Sequence, residues 1–204
     1  MESQIKAVIF DYGIVLCEPQ PPGDMDAMAA ILGLDPAEFQ GSYWRDRREY
    51  DEAGMTPEEY WKRIAGREVA ADQVKKLNEL DCRSWLHPRQ QTLAWVPAVK
   101  RRGLRTALLS NMPATLRVAI NACPWLPAFD AQTFSCDVKK SKPDREIFDD
   151  IVRKLGVKPF EAVLVDDRVE NVKGANAVGM HGVVFETAAQ AAHDLATQWN
   201  VSVQ

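Results

Sequence analysis

Five short apolar runs, separated by segments with helical periodicity, constrain most strongly how this chain can fold. They lie at residues 5–10, 105–110, 131–135, 162–165 and 182–185. The runs are nearly continuous in apolar residues, which is typical of parallel strands covered on both faces. Between two of them, apolar residues recur with helical spacing at Phe148, Ile151, Val152 and Leu155, and Gly156 follows as a helix stop. The pattern predicts an α/β fold built on a parallel sheet.

A long helical segment separates the first run from the second. Residues 35–38 (DPAE) and 56–59 (TPEE) each combine a capping side chain, a proline at the first helical position and a glutamate at the third. A third apolar stripe ends at Gly33. We therefore expect a helical module at residues 18–88, inserted after the first strand, with residues 1–17 and 89–204 forming the core domain. Residues 19–22 and 87–88 are its expected hinges.

Composition excludes several classes of protein and partner. The 204 residues are 46% hydrophobic and 26% charged, which is ordinary for a globular protein. A net charge of −4 gives no basic footprint for nucleic acid. No apolar run approaches the roughly 18 residues of a membrane span, and the N-terminus does not read as a signal peptide. The four scattered cysteines favour reduced thiols and a cytoplasmic location.

Polar residues stand where the predicted strands end, and in an open parallel sheet ligands bind at that edge. Clustered carboxylates there favour a hard cation with oxygen ligands, above all Mg²⁺. A metal, a lysine and a hydroxyl suit an anionic substrate such as a phosphate ester. A remaining carboxylate can act as a nucleophile and form an aspartyl-phosphate. The residues concerned are Asp11, Ser110, Asn111, Lys142, Asp166 and Asp167.

Four segments, in this order, resemble the motifs of the haloacid dehalogenase (HAD) superfamily of Rossmann-like hydrolases. They are VIFDYGIVL, LLSN, KKSKPD and VLVDDRVENVKGANAVGM. Each one alone is a weak signal, because an apolar run ending in aspartate is common. Together, at predicted strand ends and with the glycine-containing tail of the fourth, they are highly specific. The resemblance runs almost end to end and indicates the subclass with a helical cap inserted after the first motif.

The resemblance implies a role for each motif residue. Asp11 would be the nucleophile that attacks phosphorus. Mg²⁺ would be held by the Asp11 carboxylate, the backbone carbonyl of Gly13 and a carboxylate of the fourth motif. Asp167 is the preferred ligand there, with Asp166 orienting waters or ligating directly. The groups implied to bind the phosphate, and with Asp11 to complete the catalytic set, are Ser110, the backbone around Asn111, and Lys142.

Gly13 departs from the usual pattern of the superfamily's phosphatases. These usually carry a second aspartate two residues after the nucleophile, which protonates the leaving group and later activates water. Such general acid–base help is typically worth about 10²–10⁴-fold. A subset of capped phosphatases, resembling sugar-phosphate phosphatases, also has glycine there, and glycine retains the carbonyl implied to bind metal. The predicted function is a Mg²⁺-dependent phosphatase for a small phosphorylated metabolite, such as a sugar phosphate.

Two alternatives stay open. One is a hydrolase of 2-haloacids, because the superfamily's dehalogenases displace halide without an acid or a metal. They place tyrosine two residues after the nucleophile, whereas Tyr12 is one residue after it. The other is a catalytically weak protein that binds a phosphorylated ligand, as Gly13 suggests. A requirement for Mg²⁺ distinguishes the phosphatase from the hydrolase of 2-haloacids. Ligand binding without turnover identifies the catalytically weak binding protein.

The inserted segment also contains aromatic and basic side chains, which we expect to differ in burial. The aromatic residues expected in its core are Tyr43, Trp44, Tyr50, Tyr60 and Trp61. The arginines expected on a solvated face are Arg45, Arg47 and Arg48. One of these side chains reaching down to the substrate is a further hypothesis.

Overall fold

A five-stranded sheet forms the centre of the computed structural model, which describes residues 5–203. Its order is β3-β2-β1-β4-β5, and each neighbouring pair is parallel. The predicted Rossmann-like α/β sheet is therefore confirmed, with strand ends shifted by one or two residues. The strands are β1 Ala7–Phe10, β2 Arg105–Ser110, β3 Ala131–Phe134, β4 Ala162–Asp166 and β5 His181–Val184.

The α-helices of the described residues connect these strands. Those between β1 and β2 are α1 Pro22–Leu32, α2 Pro36–Arg45, α3 Arg47–Asp51, α4 Pro57–Ala65, α5 Ala71–Ser84, α6 Gln90–Leu93 and α7 Trp95–Arg101. Those that follow β2 are α8 Ala114–Ile120, α9 Ser135–Val138, α10 Arg145–Leu155, α11 Val169–Ala177 and α12 Ala188–Trp199.

The sheet is buried on both faces, which explains its uniformly apolar strands. In β1, Val8 and Phe10 belong to the cluster that also contains apolar residues of α7, α8 and α12. Ala7 and Ile9 belong to the opposite cluster, with apolar residues of α10 and α11. Successive side chains thus point to opposite faces, as strand geometry requires, and both faces are covered by helices.

The sheet order brings three strand ends together. After β1 the chain builds β2 and β3 on one side and then crosses to build β4 and β5 on the other. Phe10 therefore has neighbours on both sides, Leu108 in β2 and Val165 in β4. The residues that follow β1, β2 and β4 lie at one edge of the sheet, at the switch point where ligands bind in open α/β sheets.

The predicted insertion contains an apolar cluster of its own, drawn from the helices α1 to α5 and the turns between them. Its helices begin as predicted: the Asp35 side chain accepts from the amides of α2, and Thr56 forms a capping box with Glu59 at α4. Near the two ends of the predicted insertion, Cys17 pairs with Pro88 in an isolated antiparallel bridge.

The aromatic assignments are correct except at one position. Tyr43, Tyr50, Tyr60 and Trp61 are buried, as predicted. Trp44 is not a core residue, because 47% of it is exposed.

One arginine assignment is also wrong. Arg45 and Arg48 are exposed as expected, but Arg47 is buried. Its guanidinium lies 2.8 Å from an Asp51 oxygen and 3.4 Å from an Asp81 oxygen. Burial of this charge is possible because two carboxylates pair with it. Asp81 is distant in sequence, so the pattern of residues around Arg47 did not reveal it.

Two further features concern the whole described chain. All four cysteines are free thiols. Among residues 5–203, no helix combines the length and the apolar character needed to cross a lipid bilayer.

Candidate active site

Three predicted carboxylates meet at the edge of the sheet. Asp11 directly follows β1, and its amide donates to the carbonyl of Val165 at 2.9 Å. Asp166 is the last residue of β4, and Asp167 comes next. One oxygen from each of Asp11, Asp166 and Asp167 lies within 4.8 Å of the others. Two adjacent parallel strands thus produce an acidic cluster that includes the expected nucleophile, Asp11.

Lys142 reaches this cluster from the loop before α10. Its Nζ lies 2.7 Å from Asp11 Oδ1 and 2.6 Å from Asp166 Oδ2, and it donates to the carbonyl of Leu109 at 3.0 Å. Only 1% of the side chain is exposed. Burial alone would lower the pKa of Lys142, but the two carboxylates outweigh burial and raise it. The ammonium is therefore charged and fixed between the carboxylates.

The Asp11 carboxylate is held at one oxygen and open at the other. Oδ1 accepts the Tyr12 amide at 2.7 Å as well as the Lys142 ammonium. Oδ2 accepts no hydrogen bond from residues 5–203. Burial raises the pKa of Asp11 to about 7; Lys142 opposes the rise, and Asp166 and Asp167 add to it. The site thus holds more negative charge than its lysine balances.

Asp166 and Asp167 differ in their partners. Asp166 Oδ1 accepts the Arg168 amide and the Asn171 side-chain amide, each at 2.9 Å, while Oδ2 binds Lys142. The Asp167 carboxylate accepts no hydrogen bond from another residue in the described part of the chain. Burial, together with the charge of Asp166, raises its pKa. Asp166 is thus saturated by protein donors, whereas Asp167 is open to a cation.

Asn171 was not assigned from the sequence, although it lies within the fourth motif. It is buried on α11 and donates to Asp166. Its position five residues after Asp166, at the start of the following helix, was the available signal. Asn171 therefore helps to orient the carboxylate that fixes Lys142.

Ser110 and Asn111 lie at the end of β2, as predicted. Ser110 is 3% exposed, and its hydroxyl donates a long hydrogen bond, 3.4 Å, to the Asn111 carbonyl. The Asn111 side chain binds the backbone of Lys142: Oδ1 accepts its amide at 2.8 Å, and Nδ2 donates to its carbonyl at 3.0 Å. The Asn111 side chain thus positions the loop that contains Lys142. The backbone of Asn111 is the part of this residue that is left for a phosphate contact.

The backbone conformation does not require glycine at position 13, because the φ of Gly13 is not positive. A Cβ at this position would lie 3.4 Å from Cζ3 of Trp85, an ordinary van der Waals contact. The Gly13 carbonyl accepts the Val15 amide at 2.6 Å. The indole of Trp85 therefore occupies the space beside position 13, where relatives of the usual pattern carry an acid.

The strained residue of this loop is its neighbour. Ile14 has φ +64°, which is unfavourable for a β-branched residue by about 1–3 kcal/mol. Hydrogen bonds hold the loop in this shape: Arg89 Nε donates to the Ile14 carbonyl at 3.2 Å, and the Thr92 hydroxyl donates to the Val15 carbonyl at 2.5 Å. The chain at the base of the inserted segment thus fixes the backbone that follows the nucleophile.

A cavity of about 610 Å³ opens above the strand ends. Its floor includes Asp11, Ser110 and Lys142. The inserted segment supplies the opposite wall with Trp44, Arg47, Arg48, Asp51 and Trp85. Contacts that join this segment to the core include Arg48 with Asp144 at 2.6 Å, Tyr50 with Thr115 at 3.2 Å, and the Ser135 hydroxyl with the Asp51 carbonyl at 2.6 Å.

Comparison with known proteins gives a family and several relatives. A family model described as haloacid dehalogenase-like hydrolase matches residues 5–179. Flavin mononucleotide hydrolase 1 of Arabidopsis thaliana is 45% identical over 80 residues, which cover 38% of this chain and 33% of that protein. This match thus spans about a third of the relative. Sesquiterpene phosphatase AstK of Aspergillus oryzae is 25% identical over 190 residues, covering 90% of this chain and 91% of that protein.

Solved structures share the fold. A HAD family enzyme of Bacteroides thetaiotaomicron superposes with a TM-score of 0.76 at 20% identity, covering 93% of this chain and 98% of that one. The wild-type form of that enzyme has also been crystallised with magnesium and inorganic phosphate. At this level of identity, the likeness shows a common fold.

Proposed function

Since the chain belongs to the haloacid dehalogenase-like hydrolases, we propose that it is a Mg²⁺-dependent phosphatase acting on a small phosphorylated metabolite. The observation that carries the proposal is the placement of Lys142 between Asp11 and Asp166, with Asp167 unpaired beside them. Relatives named as phosphatases or as a flavin mononucleotide hydrolase support it. A sugar phosphate stays the predicted example of the substrate.

Asp11 carries the covalent chemistry in this proposal. Its Oδ2 attacks the phosphorus, and the bond from phosphorus to the leaving oxygen breaks with its electron pair on that oxygen, which takes a proton from water. An acyl-phosphate is then left on Asp11. Water then attacks the same phosphorus, which releases inorganic phosphate and restores the carboxylate. Lys142 balances charge on the phosphoryl oxygens, and the Ser110 hydroxyl and nearby backbone orient them. Because Lys142 is already fixed by three acceptors, little reorganisation is needed during reaction.

The carboxylate cluster fits a magnesium ion. Three carboxylates and one ammonium leave a formal charge of −2 when all are ionised, and carboxylate oxygens are hard ligands. Asp11, Asp167 and the Gly13 carbonyl would hold the ion, with Asp166 retained by its protein donors. When bound, Mg²⁺ supplies positive charge to the nucleophile and the phosphoryl oxygens.

Residues 18–88 act in this proposal as a cap over a core of residues 1–17 and 89–204. Support comes from the separate apolar cluster of the inserted helices and from the cavity that they share with the strand ends. A cap above the nucleophile excludes bulk water and limits substrate size.

The two alternative functions have less support. Tyr12, the residue next to the nucleophile, donates a hydrogen bond from its hydroxyl to the Trp85 carbonyl at 2.5 Å and stacks on Trp125. These contacts keep its hydroxyl from binding a halide. A screen of phosphorylated metabolites and 2-haloacids, with Mg²⁺ or with a chelator, tests all three functions. Phosphate release that requires Mg²⁺ supports the phosphatase, halide release that survives chelation supports the dehalogenase, and binding without turnover supports the silent binder.

Asp167→Ala is expected to raise the Mg²⁺ concentration for half-maximal activity by at least about tenfold. Loss of a residue that only hydrogen-bonds to a metal ligand already lowers metal affinity by about that factor, and loss of the ligand itself should lower it no less. Calorimetric titration with Mg²⁺ alone should show the same loss of affinity. Asp149→Ala is the matched control, since Asp149 is an exposed carboxylate on α10 paired with Arg145. An unchanged Mg²⁺ requirement in the Asp167 variant would transfer the ligand role to Asp166.

Gly13 predicts a steep dependence on the leaving group. With no carboxyl group there, aryl phosphates, whose leaving groups are weak bases, should react faster than alkyl phosphates. Gly13→Asp is expected to raise kcat on alkyl phosphates by up to about 10²-fold and to change aryl phosphates little. The backbone does not require glycine at this position, and a Cβ there would lie at an ordinary contact distance, 3.4 Å, from Trp85.

Gly13→Asn separates proton donation from the added bulk, because it has nearly the same shape without an ionisable group. Its kcat on alkyl phosphates should not rise. If the wild type hydrolyses both ester classes equally and Gly13→Asp only slows it, another group already supplies the proton.

A further inference from the structure

The part of the cavity beyond the expected phosphate position is lined by two tryptophans. Trp85 lies beside the loop that follows Asp11, because a Cβ at Gly13 would be 3.4 Å from its ring carbon Cζ3. Its Nε1 donates to the Tyr43 hydroxyl at 3.2 Å. Trp44 continues the wall, with its ring centroid 6.3 Å from that of Trp85. A leaving group that starts at phosphorus and passes Gly13 therefore meets Trp85 and then Trp44.

Trp44 is held in place but not covered. It is 47% exposed, although indole is among the most favourable side chains to bury. Its contacts with Tyr43 and Trp85 are edge-to-face, with interplanar angles of 87° and 82°, so neither ring stacks flat on it. The Arg47 guanidinium, 6.0 Å from the ring centroid, is at the limit of a cation–π contact. An exposed, oriented indole in a cavity is a surface for a flat ligand group.

The arginines of the cavity do not favour a second anionic group on the ligand. Arg47 is paired with Asp51 and Asp81. Arg48 pairs with Asp144 at 2.6 Å and with Glu52 at 3.0 Å, and Arg168 pairs with Glu170. An additional phosphate or carboxylate would have to compete with these existing pairs. The lining thus suits one phosphate and an uncharged organic body.

We propose that the substrate is a phosphate monoester whose leaving group carries a flat aromatic body, bound along Trp85 and Trp44. This inference rests on the proposed phosphatase function and narrows its substrate class. A polyol matches the carbon surface of an indole less well, whereas an aromatic ring can stack on one indole and meet the other edge to face, since the two indole planes are at 82°. Trp44 is accordingly a specificity-determining residue contributed by α2.

Three primary alkyl monoesters test this substrate class without a difference in leaving-group type: 2-phenylethyl phosphate, 2-cyclohexylethyl phosphate and glucose 6-phosphate. With Mg²⁺, the wild type should show the highest kcat/KM for the phenyl ester. In Trp44→Ala, the ratio of kcat/KM for the phenyl ester to that for glucose 6-phosphate should fall about tenfold. Trp44→Phe should restore most of the ratio. Phe160→Ala, an exposed aromatic residue outside the cavity, should leave it unchanged.

A binding measurement distinguishes failure of this inference from failure of the phosphatase function. Calorimetry with 2-phenylethyl phosphate is done on Asp11→Asn and on Asp11→Asn combined with Trp44→Ala. Weaker binding in the double variant supports recognition of the ring. If the wild type then hydrolyses none of the three esters, the phosphatase function is overturned while the recognition of the ring stands. Hydrolysis of all three esters with a ratio that Trp44→Ala does not change would overturn the inference alone. Equal kcat/KM for the phenyl and cyclohexyl esters would overturn the requirement for a flat body.

Discussion

Asp11→Asn is expected to reduce phosphate release by about 10⁴-fold or more, the range seen when a nucleophile is removed from an active site. The amide is poorly nucleophilic, and it cannot form the acyl-phosphate. The fold should remain, because asparagine has nearly the same shape and its carbonyl oxygen can still accept from Tyr12 and Lys142, as Asp11 Oδ1 does. Phosphate release with Mg²⁺ and a circular dichroism spectrum measure the two effects.

Asp149→Asn is the matched control for this substitution, because it neutralises an exposed carboxylate of α10. Its activity should equal that of the wild type. Near wild-type phosphate release by a folded Asp11→Asn protein would show that Asp11 is not the nucleophile.

Lys142→Met is expected to reduce both catalysis and stability. Removal of one preorganised charge from an active site typically lowers kcat by about 10²–10³-fold. Without metal, the substitution also leaves the carboxylates of Asp11 and Asp166 buried without their cation, and breaking a buried pair in this way lowers the free energy of unfolding by about 3–5 kcal/mol. Added Mg²⁺ should recover part of the stability by supplying positive charge. Urea denaturation with and without Mg²⁺ measures this loss and its recovery.

Lys100→Met provides the comparison for stability. Lys100 pairs with Asp130 at 2.7 Å, but its side chain is 40% exposed, and such surface pairs contribute about 0–1 kcal/mol. A Lys142 variant that is no less stable than the Lys100 variant would contradict the placement of a charged ammonium between two buried carboxylates.

The sheet and the strand-end site were predictable because both depend on local patterns. Nearly uniform apolar runs identify strands buried on both faces, and polar residues that end such runs must share one edge of a parallel sheet. Asp11, Ser110 and Asp166 follow this logic. Lys142 lies in a loop, and its position just before the helix that follows the third strand, together with its motif, indicated that it belongs to the site.

The wall opposite the strand ends was not predictable, because it depends on contacts between residues that are distant in the chain. The sequence around Arg47 is typical of a solvated helix face, and the residue is buried because Asp81, which is distant in the chain, lies beside it. Trp44 occupies a core-like position in its helix, yet it faces a cavity that no local pattern reveals. Trp85 lies next to Gly13, although the two residues are seventy-two positions apart in the chain. A glycine at position 13 does not indicate which distant side chain lies beside it.

Trapping of the covalent intermediate tests the central claim most directly. The wild-type enzyme is mixed with substrate and Mg²⁺, quenched during turnover and reduced with borohydride, which converts an acyl-phosphate on aspartate into homoserine. Peptide mass spectrometry should then find homoserine at position 11, in a yield that depends on substrate and is lost in Asp11→Asn. Phosphate release by an enzyme that yields no modification at position 11, or that carries it on another carboxylate, would contradict nucleophilic catalysis by Asp11.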